Sequence, residues 1–169
     1  ASRGLGDVYK RQGRYGADAF GAALSAAVKV LQDRPCIFSS LFALLNCSGV
    51  SFAAAVVLQT LLTVAVLYGA VRLMRKQSCP SAVQNAYLCA AGCLISPFFG
   101  LADFGLLYAG VAFLIKDSEQ RGFLKGDFWF FTAAFASIYF ENFFLQLTGA
   151  PFQPVLAVWL LLTAYRRRY

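Results

Sequence analysis

The sequence predicts an all-α fold, a polytopic helical bundle in a membrane with about five transmembrane helices and one interfacial helix. Three observations carry that expectation. Hydrophobic residues make up 59% of the 169 positions and charged ones only 14%, against about 45–50% and about 25% in soluble domains. Seventeen Phe, eight Tyr and two Trp are more bulky apolar surface than one small core hides from water. The cations, finally, are grouped between apolar runs. The absence of histidine excludes Ser-His-Asp catalysis, histidine metal sites and an imidazole switch near neutral pH.

Residues 1–12, ASRGLGDVYKRQ, resemble a translated sequencing-adapter tail and are expected to be artefactual and disordered. They lack the pattern of a signal peptide, and there is no initiator methionine, so the chain reads as an internal, metagenomic fragment. The segment 13–50 is expected to lie at the outer face. Within it, Ala17 to Gln32 has amphipathic spacing: Phe20, Leu24, Val28 and Leu31 recur on one side, and Asp18, Ser25, Lys29 and Gln32 on the other. Such a helix lies on the membrane surface. Asp33-Arg34-Pro35 ends it, and the apolar run Ile37 to Leu45 reads as a re-entrant or interfacial piece.

The bundle is expected over 51–169, with spans at about 52–73, 82–96, 101–115, 128–147 and 153–166. The first is the clearest, since only Gln59 and Arg72 interrupt it and a crossing needs about 20 apolar residues. The apolar stretch 82–115 is too long for one crossing. Ser96-Pro97 and Gly100 supply a turn inside it, which leaves two short spans. Lys116 to Asp127 reads as a charged loop in which Asp117 and Glu119 are solvated. The last span closes on Arg166 to Arg168, a stop signal and lipid-headgroup contact. Of the twelve Lys and Arg beyond residue 12, nine lie at 72–76, 116–125 and 166–168, whereas 96–103 and 142–154 hold none. With five crossings those nine share one side, and the positive-inside rule makes that side, and the C-terminus, cytoplasmic. Cys89 and Cys93 read as packing residues. Cys36 and Cys47 either bridge on an oxidising face or stay reduced.

Ionisable and polar groups at membrane depth are costly and are candidates for function. Asp103 either holds a substrate hydroxyl or satisfies free amides at a helix start. Glu141 with Asn142 either lines the same cavity or sits at the water interface. Gln59 suits helix-to-helix hydrogen bonding. No phosphate loop, metal-ligand cluster or nucleophile–base pair is present, so no catalytic residue, metal or cofactor is expected within the chain.

Ser40-Leu41-Phe42-Ala43-Leu44-Leu45, then Gly49, then Gln59; the stretch LISPFFGLADFGLLYAGVAFLI at 94–115; and Gly149-Ala150-Pro151 before a final helix ending in arginines together resemble the C-terminal half of glycosyltransferase family 87 membrane proteins. Leu101 stands where that family often has its first aspartate, and Ala102 replaces a tyrosine. Ile37 and Asn46 fall where basic residues are common. The resemblance implies a partial GT-C-like fold in a bacterial plasma membrane. It also implies a hexosyltransferase moving a hexose, often mannose, from a polyprenyl-phosphate donor to a glycan or glycolipid acceptor at the outer face. The catalytic acid would lie upstream, and Asp103, Ser96, Ser40, Glu141 and Gln59 become candidate substrate-side residues. The partners implied are the bilayer, the lipid-linked donor and the acceptor, and not nucleic acid. A transporter fragment, suggested by the helix broken at Pro97, and a non-catalytic assembly subunit are the alternatives.

Overall fold

The computed structural model describes residues 2–33, 40–76, 79–97, 104–148 and 151–168, and among these the chain is helical with no strand. Seven helices follow in order: α1 (Ser2–Asp33), α2 (Leu41–Cys47), α3 (Phe52–Met74), α4 (Ser81–Ile95), α5 (Phe104–Arg121), α6 (Asp127–Thr148) and α7 (Gln153–Arg166). The chain divides into two units, Ala1–Arg34 and Pro35–Tyr169.

The first unit is α1. It begins at Ser2 and so takes in most of the segment expected to be a disordered tail. No proline interrupts residues 2–33, and the helix propagates through them. The anticipated apolar positions Phe20, Leu24 and Val28 are exposed. α2 falls in the second unit.

In the second unit, local chemistry sets each helix end. The Ser51 side chain accepts a hydrogen bond from the Ala54 amide at 3.4 Å and starts α3. α4 stops where Pro97 forces the preceding residue out of the helical region; Ser96 is extended, with φ −75° and ψ 118°. Pro154 in the first turn of α7 occupies a position whose amide has no helical acceptor. Gly122 and Gly126, at φ +88° and +102°, turn the chain from α5 into α6 through left-handed backbone that other residues rarely adopt.

α5 runs six residues beyond the expected span end at Ile115, so the first half of the anticipated loop 116–127 is helix. KDSEQR contains no breaker before Gly122, and Asp117 pairs with Arg121 one turn later. The expected re-entrant piece at 37–45 becomes, in its described part, the seven-residue α2, which packs on the start of α3 through the rings of Phe42 and Phe52, 5.3 Å apart.

α4 lies at the centre, against α3, α5 and α7. Its buried residues are small or medium: Val83, Ala86, Cys89, Ala90, Ala91, Cys93 and Leu94, with Tyr87 the one large side chain. Small residues let helix backbones approach closely, the packing mode available where lipid removes the hydrophobic drive between helices. Gly110 of α5 faces the same seam, and a Cβ placed on it would lie 2.6 Å from Leu160 Cδ2 and 3.0 Å from Cys89 Cβ. α6 attaches more loosely, through Phe130 on Trp159 of α7 at 5.5 Å. Its Phe128, Trp129, Phe135, Tyr139, Phe140 and Phe143 are exposed.

Among the described residues one helix, α3, is long and apolar enough to cross a membrane. Its 23 residues span about 35 Å at the usual rise, and only 22% of its apolar window is buried in protein. α4, with 15 residues, is apolar but shorter.

Candidate functional site

The bundle has two chemically different ends. The start of α3 and the end of α4 meet at one of them. Gln59 is buried, and its Nε2 donates to the carbonyls of Leu94 at 2.7 Å and Ile95 at 3.2 Å. These are the last carbonyls of α4, left without amide donors when the helix stops at Ser96. Gln59 therefore ties α3 to the break in the chain, the helix-to-helix role its position predicts. Two turns further along α3, the Val66 carbonyl accepts from the Tyr87 hydroxyl at 3.2 Å and continues the seam.

The other sequence candidates fall out unevenly. Ser96 is half-buried at the end of α4, next to the carbonyls that Gln59 holds. Ser40 is 1% exposed, and its Oγ accepts from the Ala43 amide at 3.1 Å, so it works as the N-cap of α2. Asp103 lies outside the described residues. Glu141 and Asn142 stand in the last turns of α6, but their side chains lie outside the described set. Cys47, at the end of α2, is disulfide-bonded, whereas Cys79, Cys89 and Cys93 form no disulfide. Cys36 lies outside the described residues.

Gln153 carries no signal in the sequence, where it reads as part of a proline turn. It is 1% exposed at the start of α7, and among the described residues neither its Oε1 nor its Nε2 has a hydrogen-bond partner; nor does Oε1 of Gln59. An unsatisfied buried amide costs about 1–3 kcal/mol, so this end of the bundle carries polar capacity that its own packing does not use.

The opposite end is ionic. Arg72, Arg75, Lys76, Arg121, Lys125 and Arg166 to Arg168 converge there from α3, α5, the α5–α6 loop and α7. The three cationic connectors therefore do share one end of the bundle. At its centre is an ion cluster that corrects two expectations. Asp117 is not solvated but 1% exposed, and Arg167 turns inward, 3% exposed, where a headgroup contact was expected. Arg167 Nη1 donates to Asp117 Oδ2 at 2.6 Å, and Nη2 donates to the Gly122 carbonyl at 3.2 Å and to Asp127 Oδ2. Arg121 grips the other side of Asp117, Nε to Oδ1 at 2.8 Å and Nη2 to Oδ2 at 2.9 Å, and reaches the Arg167 carbonyl at 2.7 Å. Asp127 also accepts from the Leu124 amide at 2.6 Å. Two carboxylates and two guanidiniums thus neutralise each other and bind the end of α5, the loop, the start of α6 and the end of α7 into one knot. The charges are committed to one another, so the knot is a structural clamp.

The sequence did hold a signal for it. Asp117 and Arg121 have the i, i+4 spacing of a helix pair, and Asp127 sits where a helix start favours an anion. Burial pushes the nearby Cys79 thiol above its ordinary range, with Arg121 and Lys76 opposing and Asp117 adding to the shift. At neutral pH it stays protonated and is a poor nucleophile.

No group of three Cys, Asp or Glu among the described residues is placed to hold a metal ion. No protein-family model, curated protein or solved structure matches the chain.

Proposed function

We propose that the chain is part of a polytopic membrane glycosyltransferase that takes a hexose from a polyprenyl-phosphate donor, and that it forms a wall of the substrate cavity at the outer face. The observation that carries this reading is the placement of Gln59. The side chain of one resembling stretch holds the end of the helix that leads into another, at Ser96-Pro97, and it does so at the end of the bundle remote from the cations. Gln153 adds a second buried amide at the start of α7, at that same end. A hydroxyl-rich acceptor would satisfy such amides, and the upstream acidic residue implied by the resemblance would take the proton of the attacking hydroxyl.

α3 suits a crossing by length and composition, and the exposed aromatic side of α6 is the kind of surface that lipid covers. The positive-inside rule then puts the cationic end in the cytosol. A disulfide at Cys47, beside the start of α3, fits an oxidising compartment at the other end. The five-crossing arrangement in a bacterial plasma membrane, with a cytoplasmic C-terminus, is the one that accommodates all of these. The short α4 and α5 would cross with local thinning of the bilayer, and the apolar face of α1 would lie in the interface.

The test is transfer of labelled hexose from a polyprenyl-phosphate donor by a complete enzyme carrying this segment. Asp103→Asn is expected to reduce transfer more than Glu141→Gln; equal or reversed losses remove Asp103 from the site. Uptake of a labelled solute into vesicles without any transfer would replace this reading with a transporter.

A further inference from the structure

We infer that the cationic end carries a binding site for an anionic phospholipid, its phosphate held between the ends of α3 and α7 and an acyl chain laid along α3. A cavity of about 390 Å³ opens there, lined by Arg72, Leu73, Arg75, Lys76, Tyr165 and Arg168. Four of those six side chains are cations and none is a carboxylate. Arg168 is held in place, its guanidinium stacked 3.6 Å from the centre of the Tyr165 ring, which fixes one cation at the rim of the cavity.

The surroundings choose a lipid over a soluble anion. Leu61, Val64 and Tyr68 lead along α3 to Arg72 and Arg75 at the spacing of one helix face, and Leu61, Val64 and Tyr68 are 62%, 61% and 66% exposed. An apolar stripe that runs directly into a cationic cavity matches a molecule with a phosphate head and a hydrocarbon tail. A free phosphate would use the cavity and leave the stripe bare. Basic pockets between helices on the cytoplasmic side of a membrane are suited to such headgroups. The inference rests on membrane residence and is independent of the sugar-transfer chemistry.

The experiment is native mass spectrometry of the detergent-purified chain, titrated separately with phosphatidylglycerol, phosphatidylcholine and inorganic phosphate. The expected result is retention of phosphatidylglycerol in preference to phosphatidylcholine, with no competition from inorganic phosphate at equal concentration. Arg75 is exposed and outside the core, so Arg75→Gln leaves folding intact and is expected to weaken retention about fivefold; adding Arg168→Gln weakens it by about as much again. Arg75→Lys is expected to keep most of it. Equal retention of the two lipids, or undiminished phosphatidylglycerol binding by Arg75→Gln/Arg168→Gln, overturns the site. Full competition by inorganic phosphate overturns the lipid as its occupant. A chain that purifies from the soluble fraction without detergent refutes membrane residence itself, an outcome distinct from all of these.

Discussion

Arg167→Met is expected to destabilise the chain by about 3–5 kcal/mol, the usual cost of removing one partner from a buried ion pair. The side chain is buried, and it is the link common to Asp117, Asp127 and the Gly122 carbonyl. Methionine fills much of the volume but, among the described residues, leaves Asp127 with the Leu124 amide and Asp117 with Arg121. Arg121 is itself one-third exposed, so it screens the remaining charge poorly. The neighbouring Arg166 is exposed, and Arg166→Met should change stability by no more than about 0.5 kcal/mol. Unfolding titrations in mixed detergent micelles, comparing the two variants with the parent chain, check the contrast. Equal effects would mean that the knot contributes charge and not structure. Arg167→Met with Asp117→Asn and Asp127→Asn together should recover part of the loss, because the penalty lies in the uncompensated carboxylates more than in the missing bonds.

Gly110→Val is the second large effect. At this position the seam between α4, α5 and α7 admits no side chain: a Cβ meets Leu160 Cδ2 at 2.6 Å, Cys89 Cβ at 3.0 Å and the Ala86 carbonyl oxygen at 3.4 Å. The leucine methyl can swing away, but the Cys89 Cβ and the Ala86 carbonyl move only with the backbone of α4. Overpacking of this kind costs about 1–3 kcal/mol, and valine, with two branches against a helix backbone, falls at the upper end. Gly105 lies in the same helix, and a Cβ added there meets nothing within 4 Å, so Gly105→Ala should be neutral to within about 0.5 kcal/mol. The same titrations decide it. A Gly110→Val chain as stable as Gly105→Ala would show that α5 does not pack against α4 and α7 at this seam.

Most helices were legible because hydrophobic runs and breakers act locally. Phe52–Met74, Ser81–Ile95 and Asp127–Thr148 fall within a residue of their expected limits, since Ser51, Pro80, Pro97 and Gly126 act on the backbone next to them. What failed to show was tertiary. The segment 116–121 has the charge of a loop, yet charge is compatible with a helix whose polar face meets a partner. That partner, Arg167, is fifty residues away and carries no local mark. For the same reason the three terminal arginines read alike, although one is locked inside the bundle and another stacks on Tyr165. At the other end Gln59 was legible as a polar residue within an apolar run, and its partners lie where the proline break put them. Gln153 was hidden, because a glutamine between prolines at a helix start looks exposed until the bundle buries it.

A reporter placed after Tyr169 tests most directly whether the gathered cations stand on the cytosolic side of a bilayer. A membrane-impermeant thiol reagent, applied to a chain with a single added cysteine there and its free native cysteines replaced by serine, should label only after the cells are opened. Labelling in intact cells to the same extent would contradict the account, since it would put Arg72, Arg121 and Arg167 outside and turn the proposed donor cavity toward the cytosol.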